Sequence, residues 1–549
     1  MLDAGTSVNG GNRPPRGNGE GVAQASPLPN TCSSLPPKEI SALSTTLKIF
    51  SCEKMKPTRR LVSELKQVFP SVEAGSLLCR LCYLDTFDWR LYNRGWVLEV
   101  LGEKGETRLV WRDMNSGHIH GIVRVDSVPV FSKDLPKGNH WTQLGEILDE
   151  RALMSVVCSD IEGQRVVLRN GEGKTVVGME LHSADDNDWV SVKGSRGFEK
   201  GLKKALDVIE SKFHCEEPAI DPAQKAFETG KRKPGTYQPK PPSGNDPTIR
   251  TDEACKEILM HLIGIMCENE SGIRKQIDTE FLHDFRVAVR RSRSLLGQVK
   301  GIFPKPREQR FRRELAWLQE ITGPLRDMDV YLLEFSRLQR ELPADKRQDL
   351  LPMRTFLIDR QRRAHRDLIR ALDSSRYRTF VRDWRAFLER SAPRYTSLPN
   401  ASTPIAEMAR ERISKLFRQA IREGEAITDT NPATDLHELR KTCKKLRYLL
   451  EFFGGLFSAK KIDTIIKALK VLQDNLGTYQ DLQVQQESLL GFEKSMSEEG
   501  ALASTTSSAM EALVTVFAER EQLVRSEFSA RFEVFSKENK KLFKTLFRS

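Results

Sequence analysis

Two fifteen-residue stretches carry the densest chemistry in the chain: LHDFRVAVRRSRSLL from Leu282 and LHELRKTCKKLRYLL from Leu436, 154 residues later. Each sets a histidine three residues ahead of an arginine and adds further cations at four- and three-residue steps. The first copy gives His283, Arg286, Arg290 and Arg293, and the second gives His437, Arg440, Lys444 and Arg447. On a helix at about 100° per residue, the four residues of the first copy fall within about 80° of one another. Phe285, Val289 and Leu296 cluster on the adjoining face, with Leu282 at the boundary. Such a helix packs by one face and presents a cationic stripe from the next. Arg291 and Lys445 flank the stripe at matching positions, and Lys441 adds a charge to the second copy.

Like charges three and four residues apart disfavour a helix slightly, so an interleaved face would be cheaper. From Phe281 to Arg313 there are ten Lys/Arg and only two acids, Asp284 and Glu308. One such helix reads as a solvated face. Two in one register point to an anionic ligand, met by arginine forks and lysine point charges. The histidines divide between contact with a ligand and a structural bond to a neighbouring loop. Asp327 and Asp329 in GPLRDMDV and Asp481 in GTYQDLQV offer either metal ligands or clamps. Clamping is the better reading, with Asp327 and Asp481 fixing guanidinium rotamers; no metal site is assigned.

The duplication extends past the motifs. At the same offset Phe303 meets Phe457, Leu315 meets Leu469, Gln319 meets Gln473, Gly323 meets Gly477, and Asp327 meets Asp481. One register held over some fifty residues implies two similar helical halves about a pseudo-two-fold axis.

These helices occupy residues 250–549. Residues 1–42 are rich in Gly, Pro, Ser and Asn, as in disordered segments. Between 43 and 216, short β-branched runs such as GWVLEVLG, TRLVWRD, MSVVCSDI, QRVVLRNG and KTVVGMEL imply antiparallel strands. Helices RRLVSELKQVF and GFEKGLKKALDVIESKF lie near the start and end of that unit. Residues 217–249, with Lys231, Arg232, Lys233 and several prolines, read as an extended, solvated, basic linker. The fold class is therefore α+β and multidomain.

Lys+Arg exceed Asp+Glu by 87 to 75, a net charge of +12. The excess favours polyanions: nucleic acid, an acidic membrane surface or phosphate polymers. No apolar run approaches the roughly 18 residues of a membrane span, so no membrane partner is expected. Nine scattered cysteines without a framework suggest a reducing, intracellular compartment. Cys79 and Cys82 read as two buried thiols rather than half a zinc site, and His118 and His120 as surface residues.

The helical half resembles the CHAD family, the conserved-histidine α-helical domain, through both His-x-x-Arg-x-x-x-[RK]-[RK] motifs and the segments LQEITGPLRDMDV and LQDNLGTYQDL. The resemblance implies two four-helix halves around a basic channel that holds inorganic polyphosphate. His283, Arg286, Arg290, Arg293, His437, Arg440, Lys444 and Arg447 would line it, with Arg291, Lys441 and Lys445 beside them. Gln480 stands where the first half has Arg326, so the halves are expected to grip unequally.

More faintly, CYLDTFDWRLYNRGWVLEV and VKGSRGFEKGLKKAL are similar to the CYTH, or triphosphate-tunnel, fold: an antiparallel β-barrel with inward charges. Its catalysis needs an E-x-E-x-K strand holding Mg²⁺ or Mn²⁺. The equivalent STTLKIF has Lys48 but no acid, and Glu180 is the lone carboxylate of the late MEL strand. A degenerate barrel without activity is the leading reading, needing no cofactor, with a metal-dependent triphosphatase or polyphosphatase using Mg²⁺ or Mn²⁺ as the alternative. Arg94, Arg108, Arg165 and Arg169 could face its tunnel and touch phosphate, though exposed strand positions are the better reading for each. Single-strand nucleic-acid binders interleave aromatics with cations, and only Tyr448 borders a stripe, so nucleic acid ranks below polyphosphate. The expected location is cytoplasm or polyphosphate deposits; KRKP leaves the nucleus open.

Overall fold

In a computed structural model, residues 47–547 are described, apart from 52–57, 185–186, 231, 242–245 and 429. The expectation of disorder over 1–42 lies outside them.

The first half is one eight-stranded antiparallel sheet. Its strands are β1 (Lys48–Ser51), β2 (Ser71–Asp85), β3 (Trp96–Glu103), β4 (Glu106–Asp113), β5 (Ile119–Val125), β6 (Met154–Arg169), β7 (Thr175–Ala184) and β8 (Asn187–Gly194), in the order β1-β8-β7-β6-β2-β3-β4-β5. The sheet curls into a half-barrel, and its edges touch where Leu47 N–H donates to the Gly117 carbonyl at 2.9 Å. A Cβ on Gly117 would lie 2.1 Å from the Leu47 carbonyl oxygen, and its φ is +65°, so only glycine suits that closure. MSVVCSDI and QRVVLRNG, read as separate runs, form the single strand β6, paired with β2 along its length. Helices α1 (Thr58–Val68) and α3 (Glu199–Phe213) cover one face through Leu61, Leu65, Ala205 and Ile209. Helix α2 (Asn139–Leu148) packs Trp141 near Trp111.

Two sequence expectations change here. Cys79 is a buried thiol, but Cys82 is bonded to Cys158, its cross-strand neighbour on β6. The 217–249 segment is not a solvated spacer. It holds helix α4 (Pro222–Thr229), whose Phe227 is buried, and Tyr237 is also buried. Arg232 donates to the Phe87 carbonyl and stacks 4.0 Å over its ring. Single aromatics spaced through a proline-rich stretch anchor it without leaving a periodic signal.

The second half is helical: α5 (Thr251–Lys275), α6 (Thr279–Gln298), α7 (Lys305–Ile321), α8 (Gly323–Glu341), α9 (Leu351–Leu372), α10 (Ser375–Glu389), α11 (Ile405–Glu425), α12 (Ala433–Phe453), α13 (Ala459–Glu498), α14 (Ser504–Ser526) and α15 (Phe528–Phe547). Helices α11, α12 and α13 begin 154 residues after α5, α6 and α7. Among the described residues the first half has six helices and the second five, where four each were expected. The 40-residue α13 matches α7 and α8 together. Pro324 explains the difference: it has no N–H to donate to the Glu320 carbonyl, and the first copy breaks at Thr322. Leu282, Phe285, Val289 and Leu296 are buried, as the helical wheel requires. Among the described residues, no helix is long and apolar enough to cross a membrane.

Candidate anion-binding site

Helices α6 and α12 bring the two stripes together. Arg290 is the meeting point. Its Nε donates to the Tyr448 hydroxyl at 3.1 Å, across the two repeats. Its charge acts on His283 and Arg286 in its own repeat and on Arg440 and Lys444 in the other. Lys444, at the position equivalent to Arg290, forms no ion pair among the described residues; burial, with Arg440 and Arg290 nearby, pushes its ammonium down to about 8. Burial and neighbouring cations also lower Arg286 and Arg440. Held cations that repel one another are poised for an anion from outside.

The supports repeat with the sequence. Arg293 Nη1 donates to Gln319 Oε1 at 2.6 Å, and Arg447 Nη1 to the equivalent Gln473 Oε1 at 3.3 Å. The expected clamps do not repeat. Arg440 reaches Asp481 at 3.4 Å. Asp327 has no ion pair within 4 Å among the described residues. Arg286 instead donates to the Gln319 carbonyl at 3.0 Å and the Thr322 hydroxyl at 2.7 Å, at the α7–α8 break. The histidines differ too. His437 Nδ1 lies 2.5 Å from Gln480 Oε1. Burial, then the Arg326 charge, pushes His283 down to about 4.

Residues 257–490, which include both stripes and their supports, match the CHAD domain family model. That part of the helical half carries a CHAD-domain match. Two curated proteins of Mycobacterium tuberculosis strains, both described as uncharacterized, are 28% identical over 287 residues. Each match covers 50% of this chain and 50% of the relative, so the chain spans about half the length of the curated relatives it matches. The CHAD domain from the plant Ricinus communis aligns with 24% identity and a TM-score of 0.46, over 55% of this chain and 97% of that one. PptA from Streptomyces chartreusis aligns with 16% identity and a TM-score of 0.42, over 52% and 100%. A putative adenylyl cyclase from Hippeastrum with a dominant triphosphatase activity aligns with 13% identity and a TM-score of 0.24, over 35% and 99%.

Two candidate cations stand outside the CHAD cluster. Arg291 is drawn to Glu451 at 3.0 Å and the Pro239 carbonyl at 2.8 Å, while Lys441 is exposed and paired with Glu438 at 2.7 Å. Lys445 is half-buried beside the stripe. Tyr448 and Arg326 enter the site; the sequence marks Tyr448 as the aromatic at a stripe edge and Arg326 as half of the unequal pair at 326 and 480.

The half-barrel encloses a cavity of about 220 Å³. Arg108, Arg165 and Lys193 line it, whereas Arg94 lies exposed on a short turn and Arg169 pairs with Glu73 at the rim. Arg165 bonds Glu103 at 2.8 Å and Glu180 at 2.7 Å, and Arg108 stands 3.6 and 3.9 Å from the same acids. Arg112 bonds Glu99 and Asp221 at 2.7 and 2.6 Å. Leu47, just before β1, and Ile49 on it border the cavity, and Lys48 pairs with Glu217 at 3.5 Å. Glu99, Glu103, Glu180 and Asp221, in and beside the cavity, are thus bound to the barrel's own guanidinium groups.

Proposed function

We propose that the chain binds inorganic polyphosphate across the cationic cluster built jointly by α6 and α12. The observation that carries this reading is Lys444, without an ion pair among the described residues, beside Arg290, Arg440 and Arg447 from both repeats, with the Asp481 carboxylate acting on it. A phosphate chain carries about one negative charge per unit and no bases or sugar hydroxyls. Arginine forks and a lysine point charge, spaced along two helices in contact, suit it. Nothing in this role requires a nucleophile, a general base or a cofactor. Nucleic acid fits less well, because Tyr448, the aromatic at the stripe edge, uses its hydroxyl on Arg290. Magnesium or manganese would matter only to chemistry in the half-barrel, whose acids already bond arginines. Localisation to polyphosphate deposits would follow from the binding itself.

The test is titration of the full chain with long-chain polyphosphate against salt, with orthophosphate and single-stranded RNA as competitors. Tight, salt-steep binding that RNA does not displace is expected. Arg290→Glu with Lys444→Glu should abolish it while helical content stays intact. Easy displacement by RNA, or a folded double variant that still binds, would count against the reading.

A further inference from the structure

The first turn of α6 is held from outside the CHAD domain. Arg151, in the loop before β6, is 1% exposed. Its Nη1 lies 3.3 Å from Asp278, its Nη2 2.5 Å from Asp284 and its Nε 3.6 Å from Asp88. The guanidinium also packs on the rings of Phe281 and Phe87, at 5.1 and 5.9 Å. The next N–H, of Ala152, donates to Asp278 at 3.0 Å. From the 217–249 segment, Tyr237 donates to Asp284 at 2.7 Å, and Asn269 donates to the Tyr237 hydroxyl at 2.9 Å.

Both acids have a second task. Asp278 caps α6 by accepting from the N–H groups of Glu280 and Phe281 at 3.0 and 3.2 Å. Asp284 is the neighbour of His283 in the stripe motif. Among the described residues, the equivalent positions of the second repeat make no such contact with the half-barrel. The positions 154 residues further on are Pro432, which gives α12 no side-chain cap, and Glu438, which is exposed and held by Lys441.

We infer that Arg151 is a positioning residue for the anion site: through Asp278 and Asp284 it fixes the first turn of α6, and with it His283 and Arg286, so that the half-barrel governs the grip of one repeat only. The inference rests on the polyphosphate reading for its ligand, but not for the packing it describes. The groups acting on His283 are Arg326 from α8, Asp284 and Arg290 from α6, and Arg151 from the half-barrel. The three arginines oppose the imidazolium and Asp284 favours it. Removing Arg151 deletes one opposing charge and leaves Asp284 without its ion pair, so a positioned His283 must titrate higher. A role confined to holding the two halves together would leave unmoved both the polyphosphate affinity of a folded variant and the His283 titration of Arg151→Lys, which keeps the charge.

The experiment uses the full chain as wild type, Arg151→Met, Arg151→Lys and the second-repeat control Glu438→Gln. Histidine side chains are followed by NMR across pH, and polyphosphate affinity is measured at fixed salt. In Arg151→Met, His283 should titrate about one pH unit higher, while the His437 resonance stays in place. Affinity should fall about tenfold, the lower end of what outer-shell partners contribute at other sites. Arg151→Lys, which keeps the charge and loses the fork, should fall between, and Glu438→Gln should match wild type. A folded Arg151→Met with wild-type His283 titration and affinity would overturn the inference. Should that variant unfold, Asp284→Asn carries the decision: wild-type affinity in it overturns the inference, and several-fold weaker binding supports it. If the wild type itself ignores polyphosphate, the proposed function fails and the His283 titration still decides the role of Arg151.

Discussion

His437 Nδ1 lies 2.5 Å from the Gln480 side-chain oxygen, whereas His283, its counterpart, faces the charge of Arg326, which occupies the position of Gln480. One substitution between repeats gives the two histidines different electrostatic surroundings. In the free protein His283 is neutral at ordinary pH, because burial and Arg326 push it down to about 4. Simple protonation of this residue as pH approaches about 6.5 is therefore not a source of tighter binding. Arg326→Gln should raise the His283 titration towards that value, as followed by NMR of the unliganded chain. A His283 that titrates near 6.5 in the wild type would contradict this account.

Lys444 makes the opposite case. Its ammonium is pushed down to about 8 by burial and by Arg440 and Arg290, so at pH 8 about half of the free protein lacks that proton. A bound phosphate chain favours the charged form, and binding at pH 8 should take up about half a proton. Affinity should then fall as pH rises above 8. Calorimetry in two buffers of different ionisation enthalpy measures the uptake, and Lys444→Arg should remove most of it.

Gln480→Arg tests the inequality between repeats directly. It places a guanidinium beside His437, as Arg326 stands beside His283. The salt dependence of polyphosphate binding should steepen by about one counterion. An unchanged slope would mean that position 480 lies beyond the ligand's reach.

In the half-barrel, Arg112 is buried between Glu99 and Asp221. Arg112→Met strands two carboxylates in the interior and should cost about 3–5 kcal/mol of stability, as broken buried pairs do. Thermal unfolding of the full chain should show a lower first transition. Polyphosphate binding by the helical half should persist below that temperature.

The repeat was legible because it obeys one offset: helix starts at 251, 279 and 305 recur at 405, 433 and 459. The stripe cations were legible because helical periodicity alone places them. Arg291 and Lys441 could not be separated from them, since nothing local reveals that Glu451 lies against Arg291 from another helix. Arg151 was invisible for a similar reason: Asp278 and Asp284 lie 127 and 133 residues away. The 217–249 segment misled through its composition, for proline content reports backbone stiffness and not whether Phe227 and Tyr237 find a core.

The break at Thr322 has a mechanical consequence. In the first repeat, Arg286 grips a main-chain carbonyl and a hydroxyl at the end of α7, both fixed by the backbone. In the second, α13 runs unbroken for 40 residues, and Arg440 leans on the flexible side chain of Asp481. The site is a vise with one fixed jaw and one sprung jaw. Under the proposed binding, a phosphate chain between them would be registered against the first and accommodated by the second.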